Sequence, residues 1–222
     1  MKNLSDRFKV RGVVEVFATR GKPRLVSNDS VVKNNLGLPI FKHCDIDFSH
    51  CHAPVEYHKT ENVILYTGKD KVIESLTTGF INTVARMAIG DRGALPSNPT
   101  IPKVPTSDLT GLYNEVYRDD VDAVILDIGS GTGKHEVKFI KTFSAVDIPL
   151  TAFSNQASPM INEVSLVTAD LLAGNPLPRA PVAAPATPDS DEEFFSLRTF
   201  KSVPFEAANE ISITIRYTIF ID

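Results

Sequence analysis

Phe41-Lys-His-Cys-Asp-Ile-Asp-Phe-Ser-His-Cys-His-Ala-Pro-Val-Glu-Tyr-His58 holds four of the chain's five histidines and both of its cysteines. Thiolate and imidazole are the donors a tetrahedral zinc site uses. A metal would also organise a segment that is short of core residues. The candidate ligands are Cys44, His50, Cys51, His52 and His58, with both thiolates and two of the imidazoles as the preferred set. The spacing is not that of a standard finger, because there is no Cys-x-x-Cys pair followed by a spaced His pair. Two other readings stay open. One is a disulfide, either Cys44 to Cys51 or between subunits; the other is a polar surface on which Asp45, Asp47 and Glu56 are solvated charges. Any metal here would be structural, since no general base or substrate pocket accompanies it. The expected cofactor is therefore none, or structural zinc.

A second run, Val124-Ile-Leu-Asp-Ile-Gly-Ser-Gly-Thr-Gly133, reads as a strand ending in a Gly-rich turn. Such a turn lets backbone approach a cofactor closely. The run resembles the first motif of S-adenosylmethionine-dependent methyltransferases. Ala145-Val-Asp-Ile148 then resembles the second strand of that family, with Asp147 as the residue that would hold the ribose. Val167-Thr-Ala-Asp170 resembles an element near the adenine. The resemblance implies a parallel sheet with helices on both faces. The neighbouring residues argue against that context. The turn needs a helix after it, and His135-Glu-Val-Lys-Phe-Ile-Lys-Thr-Phe143 is short and rich in strand formers. A phosphate-binding loop is also excluded, since Gly133-Lys134 is followed by His135 rather than Ser or Thr. The expected structure is a hairpin turn at 129–133 joining strands at 121–128 and 136–143. Methyltransferase activity is kept as the alternative function.

The elements that must position these residues follow from length and pattern. A chain of 222 residues with 42% hydrophobic content suffices for one large domain, 1–222. Within it, 34–66 reads as an irregular insertion rich in His and Cys. The net charge of −4 and the lack of a basic block argue against nucleic-acid binding. No apolar run is long enough to cross a membrane as a helix, and the first residues lack the apolar core of a secretory signal.

Alternation predicts a strand at 8–17, returning through Gly21-Lys-Pro as a hairpin with 24–33. Ile73, Leu76, Phe80, Val84 and Met87 recur at helical spacing and predict an amphipathic helix at about 69–88, stopped by Gly90. Prolines at 96, 99, 102 and 105 make 91–109 extended and loop-like, and 175–191 is a second Pro-rich loop. Further strands are expected at 161–168 and 194–201. The clearest lies at the end, where Ile211, Ile213, Ile215, Tyr217, Ile219 and Ile221 alternate with polar residues and Phe220. The fold class is mainly β, an antiparallel sandwich with one helix, and its last strand is central or well paired.

Three motifs carry a second resemblance. They are Met87-Ala-Ile-Gly-Asp-Arg-Gly93, then Leu112-Tyr-Asn-Glu-Val-Tyr-Arg118 after the Pro-rich stretch, and Ile161-Asn-Glu-Val-Ser-Leu166. With Phe200-Lys-Ser-Val203 and the final strand, their order over residues 80–222 resembles phage tail-collar fibre and baseplate-type virion proteins. Ser165 stands where that family usually has Gly. The resemblance implies a non-enzymatic virion structural protein acting in the baseplate, fibre attachment, collar or neck. It implies assembly in the host cytoplasm, partners that are other virion proteins and further copies of itself in a ring or trimer, and neither nucleic acid nor membrane. Asn114-Glu115 and Asn162-Glu163 are expected to satisfy backbone donors of loops.

Overall fold

The computed structural model describes residues 10–29, 31–33, 37–77, 82–128, 135–170, 179–186 and 190–221. Over these the chain is mainly β, arranged as two seven-stranded sheets around one core. Sheet one runs β3 (Val32–Lys33), β4 (Pro39–Phe41), β12 (Ala123–Ile128), β13 (His135–Ser144), β18 (Ile211–Ile221), β1 (Val10–Arg20) and β6 (His52–Glu61). Sheet two runs β15 (Val182–Ala183), β11 (Glu115–Asp120), β8 (Asn82–Gly90), β14 (Met160–Asp170), β17 (Ser196–Pro204) and β7 (Val63–Ile64), with β16 (Glu192–Phe194) paired to β14. Two small ribbons complete the strands, β2 (Arg24–Val26) with β5 (Asp45–Asp47) and β9 (Ala94–Leu95) with β10 (Asn98–Pro102). Among the described strands only β4 and β12 pair in parallel.

β18 is the centre of sheet one. It pairs along its length with β1 on one side and β13 on the other. Its alternating face puts Ile211, Ile213, Ile215, Tyr217 and Ile219 in the core, each at most 5% exposed. Val14, Val16 and Ala18 of β1 and Phe139 and Phe143 of β13 extend that face. Sheet two answers with Ala85, Met87 and Ile89 of β8 and Ile161, Val164 and Leu166 of β14. A period-two apolar face buried on one side is what a sandwich core requires. The chain passes from sheet one to sheet two at Asn62, whose N–H donates to Gly12 O at 3.1 Å. Its side-chain amide donates to the buried Tyr217 hydroxyl at 2.5 Å. A Cβ on Gly12 would collide with the Asn62 side chain and displace its amide from this crossing.

Several expectations need correction. The helix is α1, Tyr66–Thr77, and does not extend to 88. Val84 and Met87 belong to β8, while Phe80 lies outside the described residues. Helical spacing is one of two periods in that sequence. Ala85, Met87 and Ile89 also alternate, and pairing with β11 and β14 on both sides selects the strand. The hairpin of 8–17 with 24–33 does not form. β1 pairs β18 and β6, long strands that match its length, and the short β2 pairs β5 instead.

The described part of 34–66 is not irregular, since it holds β4, β5, β6 and β7. β6 is a ten-residue strand whose Lys59, His58 and Tyr57 stand opposite Glu15, Val16 and Phe17 of β1, with a register shift between Ala18 and Arg20 of β1. The segment before it covers the outer face of sheet one. There Leu25, Phe41, Cys44 and Ile46 pack on Ala123, Ile125 and Ile140, and the Phe48 ring meets Phe17 at a tilt, 5.2 Å between centroids. The hairpin of β12 and β13 forms with Ile128 opposite His135, and its Gly-rich turn lies outside the described residues. Residues 91–109 are not wholly loop, since they contain β9 and β10.

Two substitutions report on this arrangement. Ile215→Ala, in the centre of the core, is expected to cost about 2–5 kcal/mol in denaturant unfolding. Val104→Ala, at a side chain 85% exposed, is expected to stay within about 0.5 kcal/mol of the parent.

Candidate interaction site at one end of the sandwich

β11, β8 and β14 are neighbours in sheet two, and their register brings Glu115, Gly90 and Glu163 side by side. Glu163 is fully buried. Its Oε1 accepts the backbone N–H of Asn114 at 2.9 Å and of Arg92 at 3.1 Å, and its Oε2 accepts that of Tyr113 at 2.8 Å. Asn162 works beside it. Its Oδ1 accepts the Gly93 N–H at 2.6 Å, and its amide donates to Asp91 O at 3.1 Å and Ser202 Oγ at 3.0 Å. Asp91 links a third loop, because Oδ1 accepts from the Asn114 amide and Oδ2 from Ser154 N–H and Oγ, each at 2.7 Å. Gly90 and Gly93 make room for this. A Cβ at Gly90 would stand 2.5 Å from Glu163 Oε1, and one at Gly93 would stand 2.6 Å from Asn162 O. Burial pushes the Glu163 carboxyl above its ordinary value, against the pull of the three backbone donors.

The knot fixes loops, because its polar atoms are spent on backbone and on one another. The loops it fixes, 91–114 and 145–159, carry exposed Leu95, Ile101, Val104, Val146 and Leu150. The Lys103 ammonium reaches back to Arg92 O at 2.6 Å and lies 4.2 Å from the Tyr113 ring, while Thr199 Oγ1 donates to Lys103 O. The result is a largely pre-ordered loop end that carries exposed apolar side chains on a rigid scaffold.

A second polar cluster closes the outer face of sheet two. Glu192 has a fully buried side chain and receives three arginines. Oε1 accepts from Arg86 at 2.8 Å and Arg179 at 2.9 Å, and Oε2 accepts from Arg118 at 2.7 Å. Arg118 also forks onto both Glu115 oxygens at 2.7 Å and lies over the Phe194 ring. Arg86 donates to Ala180 O at 2.7 Å; its Nε is 3.0 Å from Asp120 Oδ1, near enough to pair but out of line for a hydrogen bond. Arg179 holds Asp191 at 2.7 Å. Burial works to raise the Glu192 carboxyl, but hydrogen bonds from Arg86 and Arg118, and then Arg179, outweigh it and hold the group below its ordinary value. Sequence reading missed this cluster. The available signal was Arg86 within Val84-Ala-Arg-Met-Ala-Ile89, since an arginine inside a central apolar strand demands a buried carboxylate.

The candidate metal ligands are not brought together. Cys44 is buried against Ala123, Ile125 and Ile140, and Cys51 Sγ faces Gly21 O at 3.5 Å. His50 Nε2 lies 3.2 Å from an Arg24 guanidinium nitrogen, and His58 Nε2 lies 3.0 Å from Glu56 Oε1. His52 is exposed at the opposite end of β6 from His58, roughly 20 Å away at the rise of a strand. Both cysteines are free. Among the described residues no three His, Cys, Asp or Glu side chains stand close enough to hold a metal ion.

The methyltransferase context is also not met. A strand, β13, occupies the place of the helix after the Gly-rich turn, and Ala145–Asp147 is a single 3-10 turn rather than a strand. Asp127 is exposed beside an open groove of about 850 Å³ along β4 and β12, and Asp147 is exposed in its turn.

Fold and site together define a two-sheet antiparallel sandwich with a polar-knotted loop end. No protein-family model, curated protein or solved structure matches the chain.

Two outcomes are expected from these clusters. Glu163→Gln replaces an acceptor oxygen by an NH2 group that faces backbone donors. It is expected to cost about 1–3 kcal/mol and to speed amide exchange at 92, 113 and 114 before the rest of the sheet. Glu192→Gln breaks a buried charge cluster and is expected to cost about 3–5 kcal/mol at neutral pH. Because the folded-state pKa of Glu192 is depressed, its contribution is full above the ordinary value of 4.5 and is lost as pH falls through the depressed value. The gap between parent and variant should therefore narrow on acidification below 4.5, as read by denaturant melts across pH.

Proposed function

We propose that the chain is a non-enzymatic structural subunit of a phage virion, serving in the tail as a baseplate, fibre-attachment, collar or neck component. The observation that carries this reading is convergence. The three motifs that resemble virion proteins, at 87–93, 112–118 and 161–166, meet in one polar knot through Asp91, Gly93, Asn114, Asn162 and Glu163. Residues far apart in sequence thus share one task, which is to hold loops in a fixed shape. A fixed loop end bearing exposed Leu95, Ile101 and Val104 suits docking to another protein, because little ordering entropy remains to be lost on contact. The partners in this reading are neighbouring virion proteins and further copies of the chain in a ring or trimer.

The test uses particles. Ile101→Asp combined with Val104→Asp places charge on exposed side chains and is expected to leave the unfolding midpoint of the isolated chain nearly unchanged. In a phage whose only copy carries both substitutions, the subunit is expected to be missing from purified particles, as read by mass spectrometry and electron microscopy. Incorporation at the parental level would remove the loop end from the proposal. Binding of S-adenosylmethionine in calorimetry, lost on Asp127→Ala or Asp147→Ala, would replace the structural reading with the enzymatic one.

A further inference from the structure

Lys141 has an unusual place. It lies between Phe139 and Phe143 on β13, and its side chain is 9% exposed. Its Nζ stands 2.6 Å from Asp119 Oδ2 and 3.0 Å from Asp122 Oδ1. Asp119 belongs to β11 in sheet two, whereas Lys141 belongs to sheet one, so the pair spans the sandwich. Both carboxylates are oriented by backbone. Asp119 Oδ1 accepts the Asp120 N–H at 2.8 Å, and Asp122 Oδ2 accepts the Thr142 N–H at 2.7 Å. The Tyr117 and Phe143 rings meet edge to face at 6.2 Å, two residues along from Asp119 and Lys141 respectively.

We propose that Lys141 and Asp119 condense into an intramolecular amide that joins the two sheets, with Asp122 moving the proton. An amine, a carboxyl and a second carboxylate in contact with the amine are the three groups such a condensation needs. The Lys141 ammonium passes one proton to Asp119 Oδ2, 2.6 Å away, which leaves an amine facing a carboxylic acid, and Asp122 takes a second proton from nitrogen as the bond forms. The freed Nζ attacks Asp119 Cγ while the Asp120 N–H stabilises negative charge building on Oδ1. The C–Oδ2 bond then breaks. Oδ2 leaves as water with two of the three ammonium protons, one of them delivered by Asp122, and the third stays on the amide nitrogen. One ammonium and one carboxylate become one neutral amide and one water, and no oxidant or co-reactant is consumed. Free groups in water do not condense in this way. Groups held in contact by two sheets react at effective molarities on the order of 10⁵ M or more, and the partial exposure of Asp122 leaves an exit for the water. In the unreacted pair, burial works to discharge Lys141 and the two carboxylates more than restore its charge, so the ammonium is the resting form and the reaction passes through the minor neutral pair. The proposal does not depend on the virion reading, although a covalent tie between sheets would suit a part that bears load.

Intact-mass measurement of the purified full chain under denaturing conditions decides the matter. The expected mass is lower than that of the sequence by one water. Trypsin is expected to leave Lys141 uncut and to yield a branched peptide joining the fragment with Asp119 to the fragment with Lys141. Asp122→Ala keeps the pair and removes the proton carrier, so its mass is expected at the full sequence value. A parent chain of full mass with normal cleavage after Lys141 would overturn the proposal. So would a water lost within a single peptide, as in a succinimide. A branched peptide that persists in Asp122→Ala would overturn the role given to Asp122.

Discussion

A carboxylate buried in the interior of a sheet has to be answered by donors, and at Glu163 the answer comes from loop backbone. Every residue from Ile161 to Ala169 of β14 is buried, so the strand offers no side on which a charge could reach solvent. Glu163 takes its donors from 92, 113 and 114, and Asn162 takes one from Gly93. Those amides lie at chain reversals where no ladder partner exists, and a buried amide left unpaired costs about 1–3 kcal/mol. Each side therefore solves the other's problem. The loops of one end are fixed because the strand is charged, and the strand tolerates its charge because the loops stay. The glycines at 90 and 93 belong to the same constraint, since any side chain would separate carboxylate from backbone.

The outer face of the same sheet obeys a related rule with opposite sign. Arg86 and Arg118 project away from the core, where the central position of β8 and β11 denies them open water. Isolated buried guanidinium groups would cost several kcal/mol each. Glu192 bridges both, with Asp120 and Glu115 supplying the further charge, and its delivery requires that residues 179–186 and 190–195 lie back across the sheet. The described part of the Pro-rich stretch is thus held by a charge requirement of the strands beneath it, with Arg179 and Asp191 as a second fork. Hydrophobic patterning would not have placed that segment. Its backbone anchors are Val182 and Ala183, paired to Arg118 and Tyr117, so the strand that carries one of the buried arginines also receives the segment that neutralises it.

What can be read from the sequence follows the same physics. The final strand is legible because its apolar residues alternate and one face is buried, and the strands at 123–128, 135–144 and 160–170 are legible for similar reasons. β8 imitates a helix because Val84 and Met87 satisfy a three-residue step as well as the alternation around them, and only sheet pairing separates the two. Residues 52–61 imitate a loop because histidine, proline and glutamate mask a strand whose register is set by β1. The polar knot is half legible. That Asn114 and Asn162-Glu163 serve backbone donors can be anticipated from residue type, but their meeting at one point depends on strand order. The His and Cys cluster is compact in sequence but spread in space, since His52 and His58 lie six residues apart on an extended strand.

Sheet one shows the converse arrangement and explains why the two faces of the molecule differ. Its inner face is mostly apolar, with Lys141 as the charged exception, and part of its outer face is covered by the flap of Leu25, Phe41, Cys44, Ile46 and Phe48, while Glu15 with Arg216 and Lys59 occupies another part. Sheet two keeps its charged residues and covers them with ion pairs. An apolar cover is held by area and tolerates exchange of similar side chains, whereas a cover of forked arginine pairs is held by geometry and tolerates almost none. The outer cover of sheet one thus rests more on hydrophobic area, and that of sheet two more on directional contacts. The loop end with its exposed apolar side chains is built on the second kind of sheet. A surface that must present Leu95, Ile101 and Val104 in one arrangement needs a scaffold whose loops have a single satisfied position, and buried carboxylates with fixed donors supply that constraint.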